Sequence, residues 1–134
     1  MTNNLAGDFE AGRVDLASFH HREHLLAALE LLRVTDFLSA AVRYFRALQR
    51  IADAAGHPGK VNLTVTIAYL SEIAERLAAT PELSDEDFLN VYPELLSPQL
   101  LARTYSHERL WSPLGRRTFL MPRDLEQEKT QHGR

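Results

Sequence analysis

The stretch from Phe37 to Ala55 limits what this chain can fold into more than any other. Phe37, Ala41, Tyr44, Leu48, Ile51 and Ala55 recur at the three-and-four spacing of one helical face. Thr35 or Asp36 supplies an N-terminal cap. Gly56 stands where a helix ends in a left-handed residue, and Pro58-Gly59 bars continuation. A helix with one apolar stripe is stable only when that stripe is covered. The rest of the chain must therefore supply partners for it.

Two other segments qualify as partners. One runs from about His20 to Arg33, with Leu25, Leu29 and Leu32 as its stripe, joined by Leu26, Ala28 and Leu31. The other covers residues 61–79. Its start, Val61-Asn62-Leu63-Thr64-Val65-Thr66-Ile67, alternates like a β-strand, but no second strand exists to pair with it, so the whole segment reads as one helix. Leu63, Ile67, Leu70, Ala74 and Leu77 form its apolar row, with Asn62, Thr66 and Tyr69 as a polar row beside it. Ser84 followed by Asp85-Glu86-Asp87 starts a shorter fourth helix. Ser97-Pro98 and Ser112-Pro113 each place a capping serine before a first-turn proline, which predicts two or three short helices between residues 97 and 120. The expected fold is all-α: a single-domain, bundle-like core of three long helices and a shorter fourth, with short C-terminal helices across it. Residues 1–17 are expected to be a flexible arm, 18–122 the helical domain and 123–134 a flexible polar tail.

Composition excludes several classes. The 134 residues suit one domain, and there is no cysteine, so disulfides, thiolate metal sites and cysteine nucleophiles are out. A net charge of −3 with interspersed signs argues against nucleic acid as a partner. No apolar run approaches a membrane span, and Met1-Thr2-Asn3-Asn4 lacks the basic and apolar regions of a secretory signal, so a cytoplasmic protein is expected.

The candidate chemistry begins at Phe19-His20-His21-Arg22-Glu23-His24-Leu25, which holds three of the six histidines. Residues three or four apart share a helical face, so His20 with His24, or His21 with His24, can present two imidazoles to one metal ion or one substrate. Imidazole is the commonest metal ligand and suits proton transfer near neutral pH. Catalytic zinc usually takes three protein ligands plus water; His57 or Glu23 are the available third ligands. Arg103 offers a fork for a carboxylate or phosphate, and Tyr105 a weak acid beside it. Asn62, Thr66 and Tyr69 are candidates to line the same pocket. Trp111 with Phe119 is expected to anchor the core, and Arg116-Arg117 to be solvated. No Gly-rich phosphate loop, nucleophile elbow, zinc-protease or EF-hand pattern is present.

These motifs resemble those of a family of small, uncharacterised bacterial all-helical proteins. Typical members carry F-x-H-x-x-H-L at the start of the first helix, matched here by Phe19 to Leu25. They also carry a Gly-x-x-x-Lys turn leading into an aromatic-His-Glu-Thr helix. Their C-terminal R-x-Y-S-x-E-x-L signature resembles Arg103-Thr104-Tyr105-Ser106-His107-Glu108-Arg109-Leu110. The resemblance spans about residues 19 to 125 and implies His21 and His24 as the better pair. Thr64 keeps the pattern, but Asn62-Leu63 stand where relatives tend to carry His-Glu. An amide oxygen is a poor substitute for imidazole at zinc or iron, so if the relatives hold a metal with a third histidine, this chain has lost that ligand.

The leading expectation is a small accessory enzyme, of the kind found in secondary metabolism, acting on an organic metabolite. An elimination, isomerisation or cyclisation needs little beyond positioned acid–base groups in a dry pocket. His21, His24 and Tyr105 are its expected catalytic groups, with Asn62, Thr66, Tyr69 and Arg103 binding substrate and no cofactor. One alternative is a non-catalytic module that binds a ligand or pairs with a protein, a second copy of itself included, through an apolar helix face. The other is a divalent transition metal held by His21, His24 and His57.

Overall fold

The computed structural model describes residues 5–12 and 21–123. Within them the chain forms seven α-helices and three 3-10 turns, with no strand. The helices are α1 (Leu5–Glu10), α2 (His21–Val34), α3 (Phe37–Ala54), α4 (Leu63–Ala79), α5 (Asp85–Val91), α6 (His107–Leu110) and α7 (Pro113–Arg117). Helices α2, α3 and α4 pack on one another as the core; α7 and the 3-10 turn Leu100–Arg103 pack on α4, the turn Pro93–Leu96 on α2 and the turn Pro58–Lys60 on α3. The all-α expectation holds. Among the described residues no helix is long and apolar enough to cross a membrane.

The caps explain the boundaries. The Asp36 carboxylate accepts from the backbone N–H of Ser39 at 2.9 Å and from its hydroxyl at 2.8 Å, fixing the start of α3. Gly56, at φ +77°, ends it: the His57 N–H reaches back to the Ala52 carbonyl at 2.8 Å. Ser84 and Ser112 cap α5 and α7. Ser97 behaves differently from the expected helix cap: its hydroxyl accepts from the Gln99 N–H in a turn, and the 3-10 turn Leu100–Arg103 follows. Gly115 has no room for a side chain, since a Cβ there would stand 2.6 Å from the Arg109 carbonyl oxygen and 2.9 Å from that of Leu110.

Two sequence expectations need correction. Residues 1–17 are not all a flexible arm, because Leu5–Glu10 is a helix whose Phe9 side chain is completely buried among α2 and α3. The segment is too short to show a helical period, yet one buried phenylalanine contributes roughly 1.5–3 kcal/mol. Glu10 accepts from Arg43 through both carboxylate oxygens at 2.8 and 2.7 Å, and Arg50 holds its carbonyl, so α1 is fastened to α3 at its end. Burial beneath α1 also explains why α2 is apolar over more than one stripe. Residues 1–4, 13–20 and 124–134, and with them Phe19, His20 and nearly all of the expected tail, lie outside the described residues.

The second correction is the rotation of α4. Thr64, Thr66, Ala68, Leu70 and Ile73 are its buried residues, while Leu63 and Ile67 are only half-buried. The cause is the C-terminal segment. The Thr64 hydroxyl donates to the Thr118 carbonyl at 2.6 Å and accepts from the Leu120 N–H at 3.1 Å, so a polar residue is buried with its bonds made.

Candidate functional site

A chamber of about 480 Å³ opens between α2, α3 and α4, within the size range of small-molecule sites. Leu48 and Ile51 from α3, Val61 and Val65 around the start of α4, and Trp111 give it apolar walls. His21 and His24 enter from α2, Tyr44 from α3, and Asn62, Thr66 and Tyr69 from α4. His57 and Lys60, flanking or within the 3-10 turn Pro58–Lys60, complete the lining. The helical period does this work: His21 and His24 lie one turn apart on α2, as do Asn62, Thr66 and Tyr69 at the head of α4.

The two histidines have different surroundings. His24 is drawn inward. Its ring meets Phe9 edge-on, with centroids 5.9 Å apart, and the Tyr44 hydroxyl lies 3.3 Å from both its Nδ1 and its carbonyl oxygen. Burial pushes the His24 imidazole from 6.5 down to about 4; the nearby His21 adds to the shift and Glu23 opposes it. His24 is therefore neutral at pH 7 and a weak base. Tyr44 is buried, which raises its hydroxyl far above the usual phenol range.

His21 sits at the outer edge of the chamber against Tyr69. The Tyr69 hydroxyl lies 3.0 Å from His21 Nε2, and the rings tilt together with centroids 5.2 Å apart. Both groups converge on one backbone acceptor: the Leu95 carbonyl takes a hydrogen bond from the Tyr69 hydroxyl and stands 3.1 Å from His21 Nε2. Burial raises the Tyr69 hydroxyl well above its ordinary value, so it keeps its proton. With its one proton given to the Leu95 carbonyl, the Tyr69 hydroxyl meets His21 Nε2 as an acceptor, so the two side chains hold each other in place.

Asn62 and Thr66 reach the chamber but are largely committed to the backbone. Asn62 caps α4 by accepting from the Val65 N–H at 3.0 Å, and its amide donates to the Leu110 carbonyl at 2.6 Å. The Thr66 hydroxyl donates to the Asn62 carbonyl at 2.7 Å. Arg103 and Tyr105 are not brought to this chamber. Arg103 is exposed on its 3-10 turn, and the Tyr105 hydroxyl donates to the Leu120 carbonyl at 2.7 Å, tying the C-terminal segment down. The Tyr105 ring borders a smaller adjoining cavity instead. Among the described residues no three His, Asp or Glu side chains gather closely enough to hold a metal ion, so His21, His24 and His57 do not form a ligand set.

Four groups of the site escape a reading of the motifs. Tyr44 looks like one more member of the α3 stripe; its hydroxyl, rare on such a stripe, was the available sign. Lys60 closes a Gly-x-x-x-Lys turn that begins at Gly56. Trp111 is 37% exposed at the chamber wall rather than a core anchor, with the Arg116 guanidinium 5.6 Å from its ring. The Leu95 carbonyl is backbone and carries no sequence signal. A second groove of about 540 Å³, bordered by Leu38, Val42, Phe45 and Ile67, has arginines but no histidine, tyrosine or carboxylate in its lining, and so lacks acid–base chemistry. No family model, no curated protein and no solved structure matches the chain.

Proposed function

We propose that the chamber binds a small, largely apolar organic molecule and that the His21–Tyr69 couple moves a proton on it, as in an isomerisation, elimination or cyclisation. The observation that carries this reading is the 3.0 Å approach of the Tyr69 hydroxyl to His21 Nε2 at the edge of an apolar chamber. The apolar walls supply the binding surface. His21 takes and returns the proton, and the Tyr69 hydroxyl, fixed on the Leu95 carbonyl, holds the imidazole in position. His24, neutral and held by Tyr44, orients the ligand as a hydrogen-bonding group rather than acting as a base. Asn62 and Thr66 shape the wall. Arg103 stands outside the chamber, and the Tyr105 hydroxyl is spent on the Leu120 carbonyl.

Solvent deuterium exchange into small carbon acids, followed by nuclear magnetic resonance, tests this. Wild-type protein should accelerate exchange, and Tyr69→Phe and His21→Gln should lose at least tenfold of that rate while still binding the molecule. Equal exchange in the variants would remove the couple from the mechanism. Binding without exchange in the wild type would leave a non-catalytic binding module, a reading favoured by the neutral state of His24, Tyr44 and Tyr69.

A further inference from the structure

The charges around the chamber are one-sided. The chain carries 18 acidic residues, yet among the described residues no aspartate or glutamate lines the chamber or the adjoining cavity. Lys60 is the one permanent cation in the chamber lining, and its ammonium has no ion-pair partner among the described residues. Arg22, Arg33, Arg43 and Arg76 are ion-paired elsewhere, and Arg116, over the Trp111 ring, donates to the Gly59 carbonyl. A lone ammonium next to apolar walls matches a ligand with a single negative charge and an apolar body. Phosphates are usually met by several donors or an arginine fork.

The chamber adjoins a second cavity at Tyr69. His21, Val65, Tyr69 and Trp111 border both it and the adjoining cavity of about 300 Å³. Beyond them the second cavity is walled by Leu100, Leu101, Ala102 and Leu110, with the Tyr105 ring. Lys60 precedes α4, and Tyr69 lies down the same helix. From Leu63 to Tyr69 the helical rise is about 9 Å, and Lys60 lies before Leu63, so an anion at Lys60 stands well apart from the His21–Tyr69 couple.

We infer that the ligand is an amphipathic carboxylic acid, with its carboxylate at Lys60 and an apolar chain that passes between His21–Tyr69 and Trp111 into the second cavity. This rests on the reading of the chamber as a ligand site. It places the reacting carbon well away from the carboxylate, not next to it.

Trp111 is the only tryptophan and borders both cavities, so its emission reports their occupancy. The probes are dodecanoate, octanoate and dodecan-1-ol. Wild-type protein should bind dodecanoate at least tenfold more tightly than the alcohol. Lys60→Met should reduce that preference below twofold, and Lys60→Arg should restore it. Ala102→Phe, at an exposed position that tolerates bulk, should weaken dodecanoate at least fivefold and leave octanoate within twofold. Alcohol binding as tight as acid binding overturns the carboxylate inference while the ligand-site reading stands. Dodecanoate binding unchanged by Ala102→Phe overturns the passage into the second cavity. If no probe binds, the ligand-site reading falls and this inference with it.

Discussion

The Tyr69 hydroxyl and His21 Nε2 stand 3.0 Å apart and share the Leu95 carbonyl as a hydrogen-bonding partner. One residue comes from α2 and the other from α4, so the pair exists only when the bundle is closed. Tyr69→Phe removes the hydroxyl and leaves the ring. It should cost about 1–2 kcal/mol in urea unfolding, the range for losing a partly buried hydrogen bond. Proton exchange should fall far more than stability. A variant that unfolds by much more than this would mark the tyrosine as chiefly structural.

His24 makes stability depend on pH in a defined direction. Its folded-state imidazole titrates near 4, against 6.5 for the unfolded chain, so between those values the unfolded state binds a proton that the folded state refuses. Stability from this group is complete above pH 6.5 and declines as pH falls toward 4, by up to roughly 3 kcal/mol. Urea titrations at pH 7 and pH 4.5 should show the loss, and His24→Gln should flatten the slope over that window. An unchanged slope would show that His24 protonates in place.

Asn62 is both cap and cross-link. Asn62→Ala loses the bonds to the Val65 N–H and the Leu110 carbonyl, which predicts a cost of about 2–3 kcal/mol. Asn62→Asp keeps a good capping oxygen but sets a buried carboxylate against the Leu110 carbonyl, 2.6 Å from the replaced donor. The aspartate variant should therefore melt lower than the alanine variant, the reverse of an ordinary helix cap. Thermal unfolding at pH 7 decides the order.

Phe9 tests the standing of α1. Phe9→Ala empties a fully buried site against His24 and Tyr44 and should cost about 3–5 kcal/mol. It should also admit water to His24 and move its imidazole back up toward 6.5, visible in the histidine ring signals of a proton spectrum. Loss of under 1 kcal/mol would mean that α1 is dispensable.

Gly115→Ala should destabilise sharply, because the new methyl meets backbone carbonyls of Arg109 and Leu110 that cannot swing aside. Circular dichroism melting should report a loss of several degrees or more.

Much of the helix layout was legible because it is local. Asp36, Ser84 and Ser112 cap where a side-chain oxygen precedes an apolar period, and Gly56 ends α3 through its positive φ. The strand-like alternation of residues 61–67 was overruled correctly, since a strand needs a partner and a helix does not. Residues His21, His24, Asn62, Thr66, Tyr69 and His57 do border one chamber. That grouping was readable from helical spacing near each helix start. Arg103 and Tyr105 were misplaced because short-helix segments carry no period from which a direction can be taken.

By itself, the sequence determined where the long helices run and stop and which side chains share a face on them, because those are properties of neighbouring residues along the backbone. Only the tertiary structure decided what each face meets. It buried Phe9 under His24, turned α4 so that threonines face inward, set the Leu95 carbonyl between Tyr69 and His21, and left Lys60 beside an apolar chamber. Such contacts join residues far apart in the chain, and what fixes them is the total surface buried when the helices close, which no local pattern records.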